Sequence, residues 1–179
     1  MENAYFIIGG SLVFVFLLWI AVGARHLRVL TGKVGSSWGE ILLLIGSRYD
    51  LLPILVEVLT PYAGGSSQFR DFRRDGISNR DKARRIMVAS EEKSSTEAAF
   101  CKALDDLVWF GEDNDEVSTE VLFLEIKKEV EDLGNQIEKK SSEYNELVLK
   151  FNRSVKFWLL VPISLVMRTK KAKKIEFGK

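Results

Sequence analysis

Residues 126–158, IKKEVEDLGNQIEKKSSEYNELVLKFNRSVKFW, carry the pattern that decides the fold. Apolar side chains fall at Ile126, Val130, Leu133, Ile137, Tyr144, Val148, Phe151, Val155 and Trp158, a three-four spacing interrupted only at Lys140–Ser141. The stripe covers about nine turns of helix. Glu125, Lys128, Glu131, Lys139, Glu143 and Lys150 occupy the other faces. A helix this long cannot bury such a stripe against itself, so the pattern demands partner helices. It predicts a last helix from about Val117 to Phe157.

The partners are readable upstream. Leu27, Leu30, Val34, Trp38, Ile41, Ile45, Tyr49, Leu52, Val56 and Leu59 recur every three or four residues. Asp50-Leu51-Leu52-Pro53 looks like a helix restart, because aspartate caps free amides and proline is tolerated in a first turn. Consecutive segments Leu27–Tyr49 and Leu51–Tyr62 are therefore expected, either separate or joined with only a kink between them. Pro61, Gly64-Gly65-Ser66-Ser67 and Asp75-Gly76 then signal an irregular insertion over residues 64–80, followed by a helix from about Arg80 to Ala89. Glu91–Ser95 reads as a polar joint, with Ser95 or Thr96 capping a helix that carries Phe100, Leu104, Leu107 and Phe110. No stretch shows sustained β-alternation. The fold class is all-α: an N-terminal transmembrane helix followed by an antiparallel bundle of about four long helices.

The transmembrane reading rests on Tyr5–Ala24, YFIIGGSLVFVFLLWIAVGA, which contains no charge. At about 1.5 Å per residue it spans the hydrocarbon core of a bilayer, about 30 Å. Glu2 precedes it, while Arg25, His26, Arg28 and Lys33 follow, so positive-inside retention puts the short N-terminus outside and the rest in the cytoplasm of a cell (inner) membrane protein. A cleaved signal ending at Val22-Gly23-Ala24 is the rival, but the basic n-region such a signal needs is missing. The expected organisation is an anchor over residues 1–26, a bundle over 27–160 and a basic tail over 161–179.

Composition narrows the chemistry. Among 179 residues, 28% are charged with a net charge of +1, so no global field points to nucleic acid. One cysteine, Cys101, rules out an internal disulfide, and one histidine, His26, leaves no histidine pair and no His/Cys zinc set. The acidic run Glu112, Asp113, Asp115, Glu116 lacks the spaced ligands and glycine of a calcium loop and suits a helix start instead. No catalytic, cofactor or metal residue is assigned.

Two basic stretches stand out. Arg70, Arg73, Arg74, Arg80, Lys82, Arg84 and Arg85 interleave with Phe69 and Phe72, a mixture that can bind RNA or a membrane surface but reads more readily as an exposed loop with two phenylalanines tucked onto the bundle. The apolar run Phe157–Met167 is too short to span a bilayer. With Trp158 and the cations Arg168, Lys170, Lys171, Lys173 and Lys174 it can pack on the bundle or lie against lipid headgroups.

Arg48-Tyr49-Asp50-Leu51-Leu52-Pro53-Ile54-Leu55-Val56 and Tyr144-Asn145-Glu146-Leu147-Val148-Leu149-Lys150-Phe151-Asn152, with Pro162 and the tail Lys171–Phe177, resemble the LemA family of membrane proteins. Ile54, Gly134 and Ser141 depart from the family pattern. The resemblance implies an anchored long-helix bundle without a catalytic constellation, and family-motif roles for Arg48, Asp50, Leu51, Pro53, Tyr144, Asn145, Phe151 and Asn152. Those roles read as structural, with asparagine amides and Arg48 bridging helix ends, satisfying carbonyls or each other. The expected function is a non-catalytic scaffold or interaction protein at the membrane. An oligomerising relay or sensor, or an enzyme using an unrecognised carboxylate site, are the alternatives. Expected partners are the lipid bilayer, other proteins and a second copy of the chain, and no nucleic acid.

Overall fold

The computed structural model of the chain describes residues 2–157 and 160–175, with side chains from Gly10 onward. It contains α1 (Glu2–Leu59), a 3-10 turn (Thr60–Tyr62), α2 (Ser67–Arg85), α3 (Glu91–Glu112), α4 (Val121–Lys156) and α5 (Val161–Val166). Among the described residues there is no strand. The chain divides into two compact units, Met1–Ser36 with Glu146–Ala172, and Ser37–Asn145 with Lys173–Lys179.

The second unit is a four-helix arrangement. Arg48 on α1 meets Glu97 on α3, and Leu59 faces Gly111 further along both, so α1 and α3 run the same way. Glu40 of α1 pairs with Lys140 of α4, and Trp38 stacks near Tyr144, so α4 runs opposite to α1. Phe69–Phe110 and Ala83–Lys93 contacts make α2 antiparallel to α3. Up-down-up-down topology follows from short connections between amphipathic helices. Ile41, Ile45, Leu52, Leu55, Leu104, Leu107 and Ile137 are at most 2% exposed and form the core.

Three sequence expectations change here. The restart at Asp50 is not a break: α1 continues through Pro53. An interior proline costs about 3 kcal/mol, and burial of Leu51, Leu52, Leu55 and Leu59 around it offsets that. The insertion over 64–80 is largely helical. Gly64 and Gly65, at φ +52° and +80°, make the turn, and Ser66 caps α2 by accepting from the Phe69 amide. The buried stripe of α2 is Phe69, Gly76 and Ala83, seven apart. Two of these three residues are too small to register as a hydrophobic pattern. Gly76 is a packing residue and not a turn, because a Cβ there would come within 3.0 Å of Leu52 Cδ1. Finally, Glu91–Ser95 is the first turn of α3, capped by Ser90 accepting from the Lys93 amide.

The stripe of α4 faces the core along most of its length, with Val130 only half-buried. Ile126, Leu133, Ile137, Tyr144, Val148, Phe151 and Val155 are buried, and Ser141 occupies the core position between Ile137 and Tyr144 with no partner for its hydroxyl. Trp158 lies outside the described residues.

In the first unit Leu27, Phe151, Val155 and Ile163 form a small core, with Trp19, Ala24 and Leu160 against it. The apolar stretch before it is bare. From Leu12 to Leu18 each large apolar side chain is 49–66% exposed. α1 is the one helix among the described residues long and apolar enough to cross a membrane.

Candidate functional site

The densest polar chemistry lies inside the second unit. Lys93 and Glu97, one turn apart on α3, are 1% and 0% exposed, and Arg48 of α1 is 7% exposed. Lys93 Nζ lies 2.8 Å from Glu97 Oε1, and it donates to the Ala83 carbonyl at 2.8 Å and to Tyr49 OH at 3.0 Å. The Tyr49 hydroxyl donates to Glu97 Oε1, and Arg48 Nη2 to Glu97 Oε2 at 3.3 Å. Phe100 closes the cluster, edge-on to Tyr49 at 4.9 Å and 5.9 Å from the Arg48 guanidinium. One carboxylate thus anchors two cations and a phenol away from water. Arg48 Nε is left without a partner.

Burial, with the Glu97 carboxylate next to it, pushes the Tyr49 phenol far above its ordinary value of 10.0. Burial likewise raises the Cys101 thiol above 9.0. Both groups keep their protons in the folded chain at pH values where an unfolded chain loses them. Unfolding therefore releases protons in alkali, and stability is full below the unfolded values and falls as pH rises through them. Urea denaturation between about pH 8 and 11 should show stability declining from the thiol range onward and more steeply from about pH 10. Tyr49→Phe should flatten the upper part of that decline while lowering stability at pH 7, because Glu97 Oε1 loses a donor. An unchanged alkaline slope in this variant would contradict the assignment.

A second polar feature holds the C-terminal tail. In the second unit Asn145 Nδ2 donates to the Ile175 carbonyl at 2.7 Å, and the Ile175 amide donates back to Asn145 Oδ1 at 3.0 Å. Tyr144 OH donates to the Lys173 carbonyl at 3.0 Å, and Ile175 is 1% exposed. In the first unit Asn152 makes the same two-point clasp on Ala172, at 2.9 and 3.0 Å. A primary amide presents one donor and one acceptor side by side, so it reads backbone without regard to side chain. Lys170, Lys171, Lys173 and Lys174 stay exposed.

Each clasp comprises two hydrogen bonds worth about 1 kcal/mol apiece. Asn145→Leu should thus raise trypsin cleavage after Lys173 and Lys174 roughly 10- to 30-fold, and Asn152→Leu should do so after Lys170 and Lys171. Equal cleavage rates in variant and native chain would show that the asparagines do not hold the tail.

The motif residues separate into distinct environments. Arg48, Leu51, Tyr144 and Phe151 are buried, Asn145 and Asn152 are half-buried, and Asp50 and Pro53 lie on the outer surface. Asp50 pairs with Arg84, at 3.8 Å between exposed side chains. Within the second unit Arg48 pairs with Glu97 on α3 while Asn145 pairs with the tail, and within the first unit Asn152 pairs with Ala172. Sequence reasoning missed Lys93 and Glu97. Their i,i+4 opposite charges were the available signal, but that pattern usually marks a solvated helix face. Of the basic residues linked to lipid, Arg168 is exposed with φ +50°. Among the described residues no group of three or more His, Cys, Asp and Glu is placed to hold a metal ion.

These observations define an all-α protein whose first helix can cross a membrane and leads directly into a helical domain with an ionic core. The chain belongs to the LemA family, which it matches over residues 37–178. No curated protein matches it.

Proposed function

We propose that the chain is a membrane-anchored, non-catalytic scaffold, held by residues 5–24 with its N-terminus outside and its helical domain in the cytoplasm. The observation that carries this reading is the bare stretch Leu12–Leu18, apolar all round and about half or more exposed. A helix apolar on every face has lipid as its natural solvent. The charge asymmetry across it, with Arg25, His26, Arg28 and Lys33 on one side only, supports the orientation. The non-catalytic part is supported by the ionic cluster, whose Lys93 and Glu97 are consumed by internal pairing and closed to solvent.

Alkaline carbonate extraction tests the anchor. The full chain should stay with the membrane pellet, and a chain lacking residues 1–26 should move to the supernatant. Release of the full chain would refute anchoring.

An oligomerising relay is favoured by a different feature of the second unit. An open groove has Ile54, Val58, Pro61, Tyr62 and Leu122 on its apolar side with Glu57 and Glu120 beside them, and Leu43 and Val121 are 74% and 69% exposed. The mass of the detergent-solubilised chain across a concentration series separates this reading from a monomeric scaffold.

A further inference from the structure

The first unit contains a cleft of about 420 Å³ that the scaffold reading does not use. Phe151 and Met167 form its apolar floor, and Arg28, Arg168 and Lys170 stand around it. All three cations are exposed, and none of them makes an ion pair among the described residues. Thr31 and Thr169 complete the lining; the Thr31 hydroxyl already donates to the Leu27 carbonyl at 2.8 Å, and the charged donors are the three cations.

Its place along α1 is informative. Arg28 lies four residues beyond Ala24, the last residue of the uncharged run. Four residues of helix rise about 6 Å, and the headgroup layer on one side of a bilayer is roughly 5–7 Å deep. α5 is seated against the same end of the apolar run: a Cβ at Gly23 would lie 2.5 Å from Ile163 Cδ1 and 2.9 Å from Leu160 Cδ2. Ile163 faces inward at 5% exposed, while Leu165 and Val166 point away at 72% and 86%. An outward apolar edge therefore sits beside the end of the apolar run, and a cationic cleft follows it immediately.

We propose that this cleft binds the phosphate of an anionic phospholipid from the membrane that α1 crosses. Arg28, Arg168 and Lys170 neutralise the headgroup, Phe151 and Met167 pack under its glycerol, and Leu165 and Val166 enter the acyl boundary. Charge complementarity and continuity with the apolar run select this occupant. The proposal rests on the anchored reading, because only a spanning α1 brings the cleft to headgroup depth.

The test uses the full chain in mild detergent with equal amounts of phosphatidylglycerol and phosphatidylcholine, and native mass spectrometry to count retained lipid. Phosphatidylglycerol should be retained preferentially. Arg28→Gln, Arg168→Gln and Lys170→Gln should each lower its retention roughly fivefold, the effect of one basic residue near an anionic headgroup. The triple variant should lose the preference with helicity unchanged. Lys82→Gln with Arg85→Gln on α2 should leave it intact. Gly23→Ile, which unseats α5, should also lower retention while the three cations remain.

Equal retention of the two lipids by the native chain would overturn the proposal, as would a triple variant that keeps the preference. Displacement of the lipid by millimolar inorganic phosphate would show a site for free phosphate and overturn it as well. Carbonate extraction distinguishes the two failures: a chain that stays in the membrane but shows no lipid preference loses only the cleft.

Discussion

Glu97→Ala is expected to destabilise the protein by about 3–5 kcal/mol, a large share of a typical domain stability of about 5–15 kcal/mol. The carboxylate is 0% exposed and is the partner of Lys93, Arg48 and Tyr49. Its removal leaves two cations out of water with no counter-charge, and the desolvation cost of an unpaired ion far exceeds the net worth of the pair. Arg48 Nε already lacks a partner, so the cluster has no spare acceptor to take over. Urea denaturation of the detergent-solubilised chain at pH 7 should show the loss. Replacing Arg48, Lys93 and Glu97 together by Met, Met and Leu should recover most of it, because well-packed apolar groups replace a buried ion set at little net cost. A loss below about 1 kcal/mol for Glu97→Ala would mean that water reaches the cluster.

Ile137→Asp is expected to unfold the second unit. Ile137 is 2% exposed, in the middle of the α4 stripe. The position beside it in the heptad, Ser141, already gives up an apolar contact and holds an unpaired hydroxyl. An aspartate at 137 adds an unpaired charge at a cost of several kcal/mol on top of the lost isoleucine burial. Circular dichroism should show most of the helicity lost at 25 °C. Lys139→Asp, two residues away and exposed, should stay within about 0.5 kcal/mol of native and serves as the control. Native helicity and an unshifted urea midpoint in Ile137→Asp would remove α4 from the core.

What the sequence discloses depends on how each element is held. The α4 stripe is legible because large side chains repeat every three or four residues, and α1 is legible for the same reason. α2 is hidden because its inward face is Phe69, Gly76 and Ala83, and small residues chosen for close approach look like turn formers. The start of α3 is hidden because its inward face begins with Lys93 and Glu97, and a buried ion pair has the same letters as a solvated one. Pro53 misleads because tertiary packing outweighs a local preference. The tail clasps are half-legible: Asn145 and Asn152 share a helix face by spacing, but an extended tail has no periodicity to announce itself as their partner.

The cleft and the scaffold reading share the premise that α1 spans the bilayer, and the scaffold reading adds that its basic end is inside. Trypsin added to sealed right-side-out and inside-out membrane vesicles tests it most directly. The prediction is a C-terminal domain left whole in right-side-out vesicles and digested in inside-out ones, with the exposed lysines of the tail cut first. Digestion of the domain in right-side-out vesicles, or a mature chain beginning at Arg25, would contradict it.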